Sequence, residues 1–555
     1  MMKDLKILFV FALAIFSSCD LDEDPPYLDK AAFNNPQSVL GTLDGIYAGL
    51  ASYDGQERRL FVLNGFSGFF NTRRQGGNIN NPNNTYLFSL KPNENDNDAT
   101  QLWLGYYRTI ARANTLIANV ELNSDSDDLD SQLFEDVVGQ AHFVRAWCYF
   151  SLTRLFGDVP LLLDLPNNEN LMNELTPSKI IYASIIQDAE KAINMINGVS
   201  GSHYPKKYAA NMLLAKVYMT MASVDYSTAY DIIPDTIIGS NFWQMAYDQA
   251  IQVYGQNSLV SDYSSLFTME GENSDESIFE LQISQSASNS QMGRNYTPNN
   301  YKDGQSFGWL SVNKDVYDDH ASAYPNDSRI EGDFLPNQVC GGNAPPREGA
   351  TYMSYYWNNN TQSNGYLPNG LRPDGSCANW GVRVYPKNQS RNNYRNAHPY
   401  FFKYANKDVT SSNQYDDKNI IIYRYADLLL MLAEISNELS NGEQLGYVTE
   451  VLNRAGMPEN PNFDVDSSGY AGIGQTDFRD KIMKEYRYEL LGEGEDAHNN
   501  RRRGFDYFLN NVIIPHNTNT SLNFNSLDLT LSTDPSQVMF LPIPVREINT
   551  NDLID

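Results

Sequence analysis

The feature that most constrains the fold is a series of segments whose apolar residues recur every three or four positions. The first begins near Asn35, and one face of a helix there would carry Val39, Leu43, Ile46, Tyr47 and Leu50. The same periodicity returns over residues 103–120, 134–156, 177–196 and 208–221. These amphipathic helices, joined by short breaks, predict a mainly α fold.

Further helices are predicted in the second half of the chain. Residues 243–250 begin one of them, with an aromatic and small residues spaced as in tetratricopeptide helices, although strict self-similarity at that period is absent. The helical pattern returns over residues 425–439 and 478–491. The closing Leu-Pro-Ile-Pro of residues 541–544 predicts an extended segment, because a residue that precedes proline is biased away from the α conformation.

Two segments lack helical periodicity. Residues 58–98 collect Gly, Asn and Pro, which predicts a long surface loop. Asn, Gly, Ser, Tyr and Pro dominate residues 274–418, with short β-type pieces such as Ile278-Phe279-Glu280-Leu281. Long loops inside compact domains often carry function. We therefore expect one domain over 31–555, with a helical scaffold (31–270), a loop-rich binding block (271–418), and C-terminal helices with the closing segment (419–555).

The amino terminus predicts an exported protein. Two lysines precede an apolar run over residues 7–16, which has the length of a signal-peptide core and is too short to span a bilayer of roughly 30 Å. The run ends in Phe-Ser-Ser-Cys19, which resembles a bacterial lipobox. That resemblance implies a signal peptide over 1–18, cleavage before Cys19 and acylation of its thiol, so that lipid anchors the protein.

Residues 19–30 then form an acidic, proline-containing tether. Acidic residues directly behind a lipidated cysteine resemble the surface-export signal of Bacteroidetes lipoproteins. We therefore expect the outer membrane, with the protein facing the extracellular side.

Charge excludes several partners. The chain has 40 lysines and arginines against 68 aspartates and glutamates, a formal net charge of −28. Nucleic acids and anionic membrane surfaces bind proteins that concentrate positive charge. We expect no nucleic-acid partner, and membrane contact through the lipid anchor alone.

Motifs for catalysis and metal binding are weak. The chain has no HExxH, no P-loop and no G-x-S-x-G, since Gly65 and Gly68 have the wrong spacing around Ser67. The aspartates at 125, 127, 128, 130 and 136 suggest a calcium loop, but Asp130 stands where the loop needs glycine and no terminal Glu follows. We expect a solvated turn there, a hydrogen-bonded helix-face histidine at His142, and neither metal nor cofactor.

Three cysteines besides Cys19 have different expected roles. Cys340 and Cys377 both lie in the loop-rich block of an exported chain, so the sequence allows either a disulfide between them or two free thiols. Cys148 lies in an apolar helix and is expected to be a buried thiol.

Several segments together resemble the SusD/RagB family of Bacteroidetes outer-membrane lipoproteins. The most specific is residues 141–161, Ala-His-Phe-Val-Arg-Ala-Trp-Cys-Tyr-Phe-Ser-Leu-Thr-Arg-Leu-Phe-Gly-Asp-Val-Pro-Leu. Further matches are Trp103 with Tyr107, Ile110 and Asn114, and residues 422–434, 452–456, 485–494 and 541–544. The chain departs from the family pattern at residues 495–500, which puts the local structure there in doubt.

The resemblance implies an α-rich domain in which tetratricopeptide-like helix pairs support a loop-rich, irregular ligand-binding half. It also implies a non-enzymatic protein that captures oligo- or polysaccharide and delivers it to a SusC-like TonB-dependent transporter. We interpret the aromatic and leucine residues of the motifs as core, namely Phe143, Trp147, Tyr149, Phe150 and residues 428–432.

Sugar binding needs flat apolar faces and planar polar groups. In the loops that correspond to the ligand-binding regions of the resembled family, we predict stacking by Phe70, Trp309, Tyr356, Trp357 and Trp380. We predict hydrogen bonds to sugar hydroxyls from Arg73, Asn78, Asn358 and Arg383. The negative charge favours a neutral glycan such as a β-glucan, fructan, mannan or starch-like chain. The alternatives are a helical-repeat scaffold that binds only proteins and a secreted glycoside hydrolase with paired carboxylates.

Overall fold

The computed structural model of the chain describes residues 33–554 with gaps. The gaps are residues 34, 73–85, 121–128, 166–171, 285–289, 298–307, 325–326, 331–349, 354, 358–381, 385–399, 406–416, 457–468 and 519–529.

The first half of the chain is helical, as the periodicity predicts. Its helices are α1 (Pro36–Ala51), α2 (Arg58–Phe66), α3 (Asn97–Asn119), α4 (Leu129–Phe156), α5 (Ser178–Met195), α6 (Lys207–Ala222), α7 (Val224–Ala229) and α8 (Phe242–Val253). Helix α1 begins where Asn35 accepts hydrogen bonds from the backbone N–H groups of Gln37 and Ser38 at 3.0 and 3.2 Å, with Pro36 at the first helical position. Its predicted apolar face is buried at Val39, Leu43, Ile46 and Leu50.

The loop-rich block carries short strands and two short helices. Its strands, with the two that flank it, are β1 (Phe70–Thr72), β2 (Ser277–Leu281), β3 (Leu310–Val312), β4 (Tyr352–Met353), β5 (Tyr355–Trp357), β6 (Val382–Val384), β7 (Tyr400–Phe401) and β8 (Ile420–Arg424). Between them lie α9 (Met292–Tyr296) and α10 (Lys314–Ala323). The strands form a sheet in the order β1-β3-β7-β4 and two pairs, β2-β8 and β5-β6.

The C-terminal part returns to helices. They are α11 (Tyr425–Leu439), α12 (Gln444–Gly456), α13 (Gln475–Leu490), α14 (Asp496–Asn499), α15 (Phe505–Phe508), α16 (Ile514–Thr518), α17 (Pro535–Val538) and α18 (Val545–Thr550). The proline-rich segment at 541–544 is extended, as predicted.

The long helices pack on one another in chain order. Helix α3 packs on α4, α4 on α5, α5 on α6, and α6 on α8. Helix α8 then packs on α11, which also contacts α12 and α13. The motif residues Phe143, Trp147, Tyr149 and Phe150 are buried, as is every residue from 428 to 432. The predicted core role of these residues is therefore confirmed.

The prediction of a long surface loop over 58–98 is wrong. Residues Leu60–Leu63 are buried within α2, and β1 follows at Phe70. The apolar run at 60–63 packs into the core and overrides the Gly and Asn signals, which cluster further along at 73–85.

No helix within the described ranges is both long enough and apolar enough to cross a bilayer.

Candidate functional site

A small antiparallel sheet supports the loop-rich block. Strand β1 pairs with β3 so that Phe70 lies opposite Val312, and β7 lies between β3 and β4 with Ser311 opposite Tyr400. The Asn313 side chain donates to the Gly68 carbonyl at 2.9 Å, which fixes the end of β3 to the turn before β1. The sheet therefore holds four strands that are distant in sequence in one unit.

Phe70 belongs to the core, so its predicted role in sugar stacking is wrong in this structure. Its side chain is 1% exposed, and its ring lies 5.2 Å from the ring of Phe401 in an edge-to-face contact. The alternation along β1 points this side chain inward, away from any ligand.

Trp309 is only partly buried and lies immediately before β3. Its ring packs edge-to-face against Phe61 at 5.8 Å, and its backbone N–H donates to the Asn295 carbonyl at 2.7 Å. One part of the indole is thus held by the core while another part remains accessible. This arrangement suits a preorganised stacking surface.

Glu57 fixes the segment that precedes Trp309. Its carboxylate accepts hydrogen bonds from the Asn295 side chain at 2.8 Å and from the Ser290 hydroxyl at 3.1 Å, and also from the Gln291 backbone N–H. Glu57 is itself buried, directly before α2. The scaffold therefore holds α9 in place through one carboxylate.

The β5-β6 hairpin brings together three residues that the sequence analysis selected. Tyr356 lies opposite Arg383, and Trp357 lies opposite Val382, in antiparallel register. An aromatic residue and an arginine thus occupy neighbouring positions, although they are separated along the chain.

The other selected residues lie outside the described ranges. They are Arg73, Asn78, Asn358, Trp380, the cysteines Cys340 and Cys377, and the lipidation site Cys19. Cys148 is a free, buried thiol, as predicted, and burial raises its pKa.

Two polar residues from the motif analysis have structural partners. His142 Nδ1 lies 2.7 Å from Asp188 Oδ1, and Arg145 Nε donates to Asp188 Oδ2 at 2.7 Å. His142 is therefore a hydrogen-bonded histidine on a buried helix face, as predicted. Although burial opposes ionisation of Asp188, hydrogen bonds from Arg145 and His142 lower its pKa.

Asp136 closes a turn with its carboxylate. Its oxygens accept from the backbone N–H groups of Asn197, Gly198 and Ser200 at 2.8, 3.0 and 2.8 Å. The carboxylate therefore joins α4 to the turn after α5. Within the described ranges, no group of three or more His, Cys, Asp or Glu side chains is placed to hold a metal ion.

A buried network of charges lies where the loop-rich block meets the C-terminal helices. Its cations are Arg329, Lys403, Arg424 and Arg454, and its carboxylates are Glu276, Asp327, Glu485, Glu489 and Glu493. We call these nine residues the central ion network. All of them are buried.

Arg424, at the end of β8, donates to three of these carboxylates. Its Nη1 lies 2.8 Å from Glu276 Oε1, and its Nε lies 2.7 Å from Glu493 Oε2. It also contacts Glu489 of α13. Burial opposes ionisation of Glu489, but the arginines around it hold its pKa well below the usual range.

Arg329 extends the network into the loop-rich block. Its Nη1 donates to Glu485 at 2.6 Å and to Glu489 at 2.9 Å, and its Nε donates to Asp327 at 3.0 Å. Because the partners come from a loop of the binding block and from α13, the network joins the two parts of the fold.

The sequence analysis did not identify this network. Five of its nine members nevertheless lie in the motif segments: Arg424 in 422–434, Arg454 in 452–456, and Glu485, Glu489 and Glu493 in 485–494. The sequence signal for the network is the presence of arginines and glutamates between apolar residues that are predicted to be buried. Because buried charges require partners, such residues are expected to pair with one another.

The segment that departs from the family pattern is also buried. Asp496 lies in the short helix α14 and accepts a hydrogen bond from the Gly492 N–H at 2.7 Å. Burial raises the pKa of Asp496 to about 7 and lowers the pKa of Lys403 to about 8. Arg501 lies 3.8 Å from the Phe66 ring and 4.3 Å from the Phe508 ring. The departure at 495–500 therefore lies within the packed interior.

Comparisons with known proteins agree with this architecture. A sequence model described as "SusD family" matches residues 275–555, and one described as "Starch-binding associating with outer membrane" matches residues 27–219. SusD-like protein P25 of Formosa agariphila is 23% identical over 594 residues, covering 99% of this chain and 97% of that protein. SusD-like protein P2 of the same organism is 24% identical over 566 residues, covering 99% of this chain and 98% of that protein.

Solved structures share the fold. A SusD homologue from Bacteroides thetaiotaomicron superposes with a TM-score of 0.67 at 19% identity, covering 96% of this chain and 97% of that one. Surface glycan-binding protein A from the same species, in complex with laminarihexaose, superposes with a TM-score of 0.62 at 18% identity. The match covers 92% of this chain and 97% of that one. The sequence model described as "SusD family" matches more than half of the residues of this chain. The chain therefore belongs to the SusD family.

Proposed function

We propose that this protein is a cell-surface glycan-binding lipoprotein that captures oligo- or polysaccharide and delivers it to a SusC-like TonB-dependent transporter. The observation that carries the proposal is the β5-β6 register, which places Tyr356 opposite Arg383. An aromatic ring can stack on the C–H face of a sugar, while a guanidinium donates to its hydroxyls. Trp309, partly buried before β3, adds a second aromatic from the same block.

Support for a neutral glycan comes from charge and from one structural neighbour. The net charge of −28 disfavours the approach of uronate or sulfate polymers. The neighbour with bound laminarihexaose holds a neutral β-glucan fragment. We therefore propose a neutral glycan, with a β-glucan as the first candidate.

The location and the transporter partner rest on the amino terminus and the family. Cys19 follows a lipobox-like segment and precedes an acidic tether, and the model that matches residues 27–219 describes association with the outer membrane. An acylated Cys19 would hold the protein at the outer surface. There it could pass bound glycan to the transporter.

The carboxylates of the central ion network are not placed for hydrolysis, which supports a binding protein over a glycoside hydrolase. A glycoside hydrolase needs two carboxyl groups about 5–10 Å apart on either side of the substrate. Glu485, Glu489 and Glu493 are close together, but each is buried and engaged by arginine or lysine. A sugar cannot reach them.

The binding claim can be tested by native electrophoresis in gels that contain single polysaccharides. We expect a neutral polysaccharide to retard the chain, and Trp309→Ala to reduce that retardation. The matched control is Trp243→Ala, because Trp243 is also partly buried but lies on the scaffold in α8. Equal retardation of both variants would contradict a site in the loop-rich block.

The delivery claim needs a separate experiment. A tagged, lipidated chain isolated from native outer membranes should retain a TonB-dependent transporter, while Cys19→Ala should lose its membrane association. Recovery of the lipidated chain without such a transporter would contradict delivery. New reducing ends after incubation with glycan would support the hydrolase alternative instead.

A further inference from the structure

A cleft lies between the helical scaffold and the first residues of the loop-rich block. It has a volume of about 470 Å³ and is bordered by residues 202–208 at the start of α6, 255–258 after α8, and 273–282 around β2. This volume falls within the range of about 300–1,000 Å³ that is usual for small-molecule sites. Among the side chains that the structure describes, Trp309 does not line the cleft.

One wall of the cleft is aromatic and held in place. The rings of His203 and Tyr204 lie 4.1 Å apart. The Tyr204 hydroxyl donates to the Asp44 carboxylate, and its ring contacts Tyr47 at 5.4 Å. The conformation depends on Gly201, whose φ is +144° and at which an added Cβ would lie 2.8 Å from the His203 ring.

The opposite wall is polar and cross-linked. The Asn257 side chain donates to the backbone carbonyls of Asp275 and Ser277 at 3.0 and 3.1 Å. The side-chain amides of Asn273 and Gln282 donate to each other at 3.2 and 2.9 Å. These bonds fix the wall before any ligand binds, which lowers the ordering cost of binding.

Several groups on this wall remain available to a ligand. Gln256 and Ser258 line the cleft and are exposed, so their side chains are accessible to a ligand.

The charges around the cleft select against an anion. Asp275 and Glu280 contribute two carboxylates, and Lys206 contributes one ammonium group. Carboxylate and amide oxygens accept hydrogen bonds from hydroxyl groups, and an aromatic wall suits the C–H face of a sugar ring. The lining therefore matches a neutral polyhydroxylated ligand.

We propose that this cleft is a second saccharide site, which takes a short neutral oligosaccharide independently of Trp309 and the β5-β6 pair. The inference rests on the proposed glycan-binding function and adds a site between the helical scaffold and the start of the loop-rich block. A glycan chain that engages both sites gains avidity without any new contact at either one.

The test uses the full lipid-free chain and two pairs of substitutions. His203→Ala with Gln256→Ala removes one ring and one amide from the cleft. The control is Gln244→Ala with Asn510→Ala, because both residues are exposed and lie outside the cleft. Trp309→Ala serves as the variant of the loop-rich block. Isothermal titration with millimolar laminarihexaose, cellohexaose and maltohexaose gives the affinity and the number of sites.

We expect two sites in the wild-type chain for at least one of these oligosaccharides. The cleft pair should lower the affinity of one site at least tenfold, Trp309→Ala should lower the other, and the control pair should change neither. A single site that is insensitive to the cleft pair would overturn the cleft while leaving the proposed function intact. Loss of all oligosaccharide binding in the cleft pair, with no effect of Trp309→Ala, would place glycan binding in the cleft alone and overturn the site in the loop-rich block. Absence of binding by all three oligosaccharides would overturn both.

Discussion

The Arg424 guanidinium forms two parallel hydrogen bonds with the Glu493 carboxylate, from Nε to Oε2 at 2.7 Å and from Nη2 to Oε1 at 2.8 Å. Both side chains are buried. The pair joins the end of β8 to the segment after α13, and it is continuous with the rest of the central ion network. Removing Arg424 leaves Glu493 with Lys403 as its remaining cation, so the buried carboxylates lose part of their compensating positive charge, which costs more than the loss of one hydrogen bond.

Arg424→Met should therefore lower the free energy of unfolding by about 3–5 kcal/mol, because it removes a buried positive charge that three glutamates share. Urea unfolding followed by circular dichroism measures the change. Lys179→Ala is the control: Lys179 pairs with Asp231 and Asp235 at the surface, so its loss should leave the midpoint unchanged. A midpoint for Arg424→Met within error of the wild type would contradict the role of the network.

Asp496 should make stability fall as the pH rises. Its pKa is raised to about 7 by burial, so between about pH 4 and pH 7 the folded chain holds a proton that the unfolded chain has released. The contribution of this proton to stability is therefore complete below about pH 4 and is lost progressively as the pH rises through 7.

Asp496→Asn removes this titration. The variant should match the wild type near pH 4 and exceed it by about 2–4 kcal/mol at pH 8. Urea midpoints at the two pH values give the comparison, with Asp477→Asn, an exposed position in α13, as the control for introducing an amide. A variant that is less stable than the wild type at pH 8 would show that Asp496 is ionised and stabilising.

Phe70 and Trp309 should respond differently to truncation. Phe70→Ala removes a ring that is 1% exposed and should cost about 3–5 kcal/mol of stability. Trp309 is only partly buried, so Trp309→Ala should cost less stability and act mainly on glycan affinity. Thermal unfolding and binding, measured on both variants, separate the two roles. Loss of affinity without loss of stability in Phe70→Ala would restore it as a ligand contact.

These two aromatics mark the limit of the sequence analysis. Helices α4 and α11 follow from apolar spacing, since burial of a stripe every three or four residues determines where a helix packs. Phe70 and Trp309 both lie among Gly, Asn and Ser, and local pattern does not distinguish them. Pairing of β1 with β3, two strands that are distant in sequence, decides that Phe70 turns inward.

The central ion network was missed for a related reason. Arg424 and Glu489 carry no periodic signal, and they meet only because the fold brings the end of β8 near α13. Hydrophobic periodicity can place the helices that surround such residues. It cannot show which charges meet inside, because charged residues are usually exposed.

Cysteine reactivity tests the interior of α4 and the state of the loop-rich block. Cys148 is buried, and burial raises its pKa, so it should react with thiol reagents only after denaturation. Cys340 and Cys377 are either joined by a disulfide or free, and alkylation followed by mass measurement with and without reductant separates the two states, since a disulfide adds two labelled thiols on reduction. Free reaction of both thiols without reductant would reject the disulfide.

The most direct test of the account is isothermal titration of the chain begun after Cys19 with a panel of neutral and anionic polysaccharides. The account predicts saturable binding to a neutral glycan, with a β-glucan as the first candidate, and weaker binding by Trp309→Ala and by Trp380→Ala. Binding only to uronate or sulfated polymers would contradict the assignment of a neutral ligand. No heat with any polysaccharide from correctly folded protein would contradict glycan capture and favour a scaffold that binds only proteins.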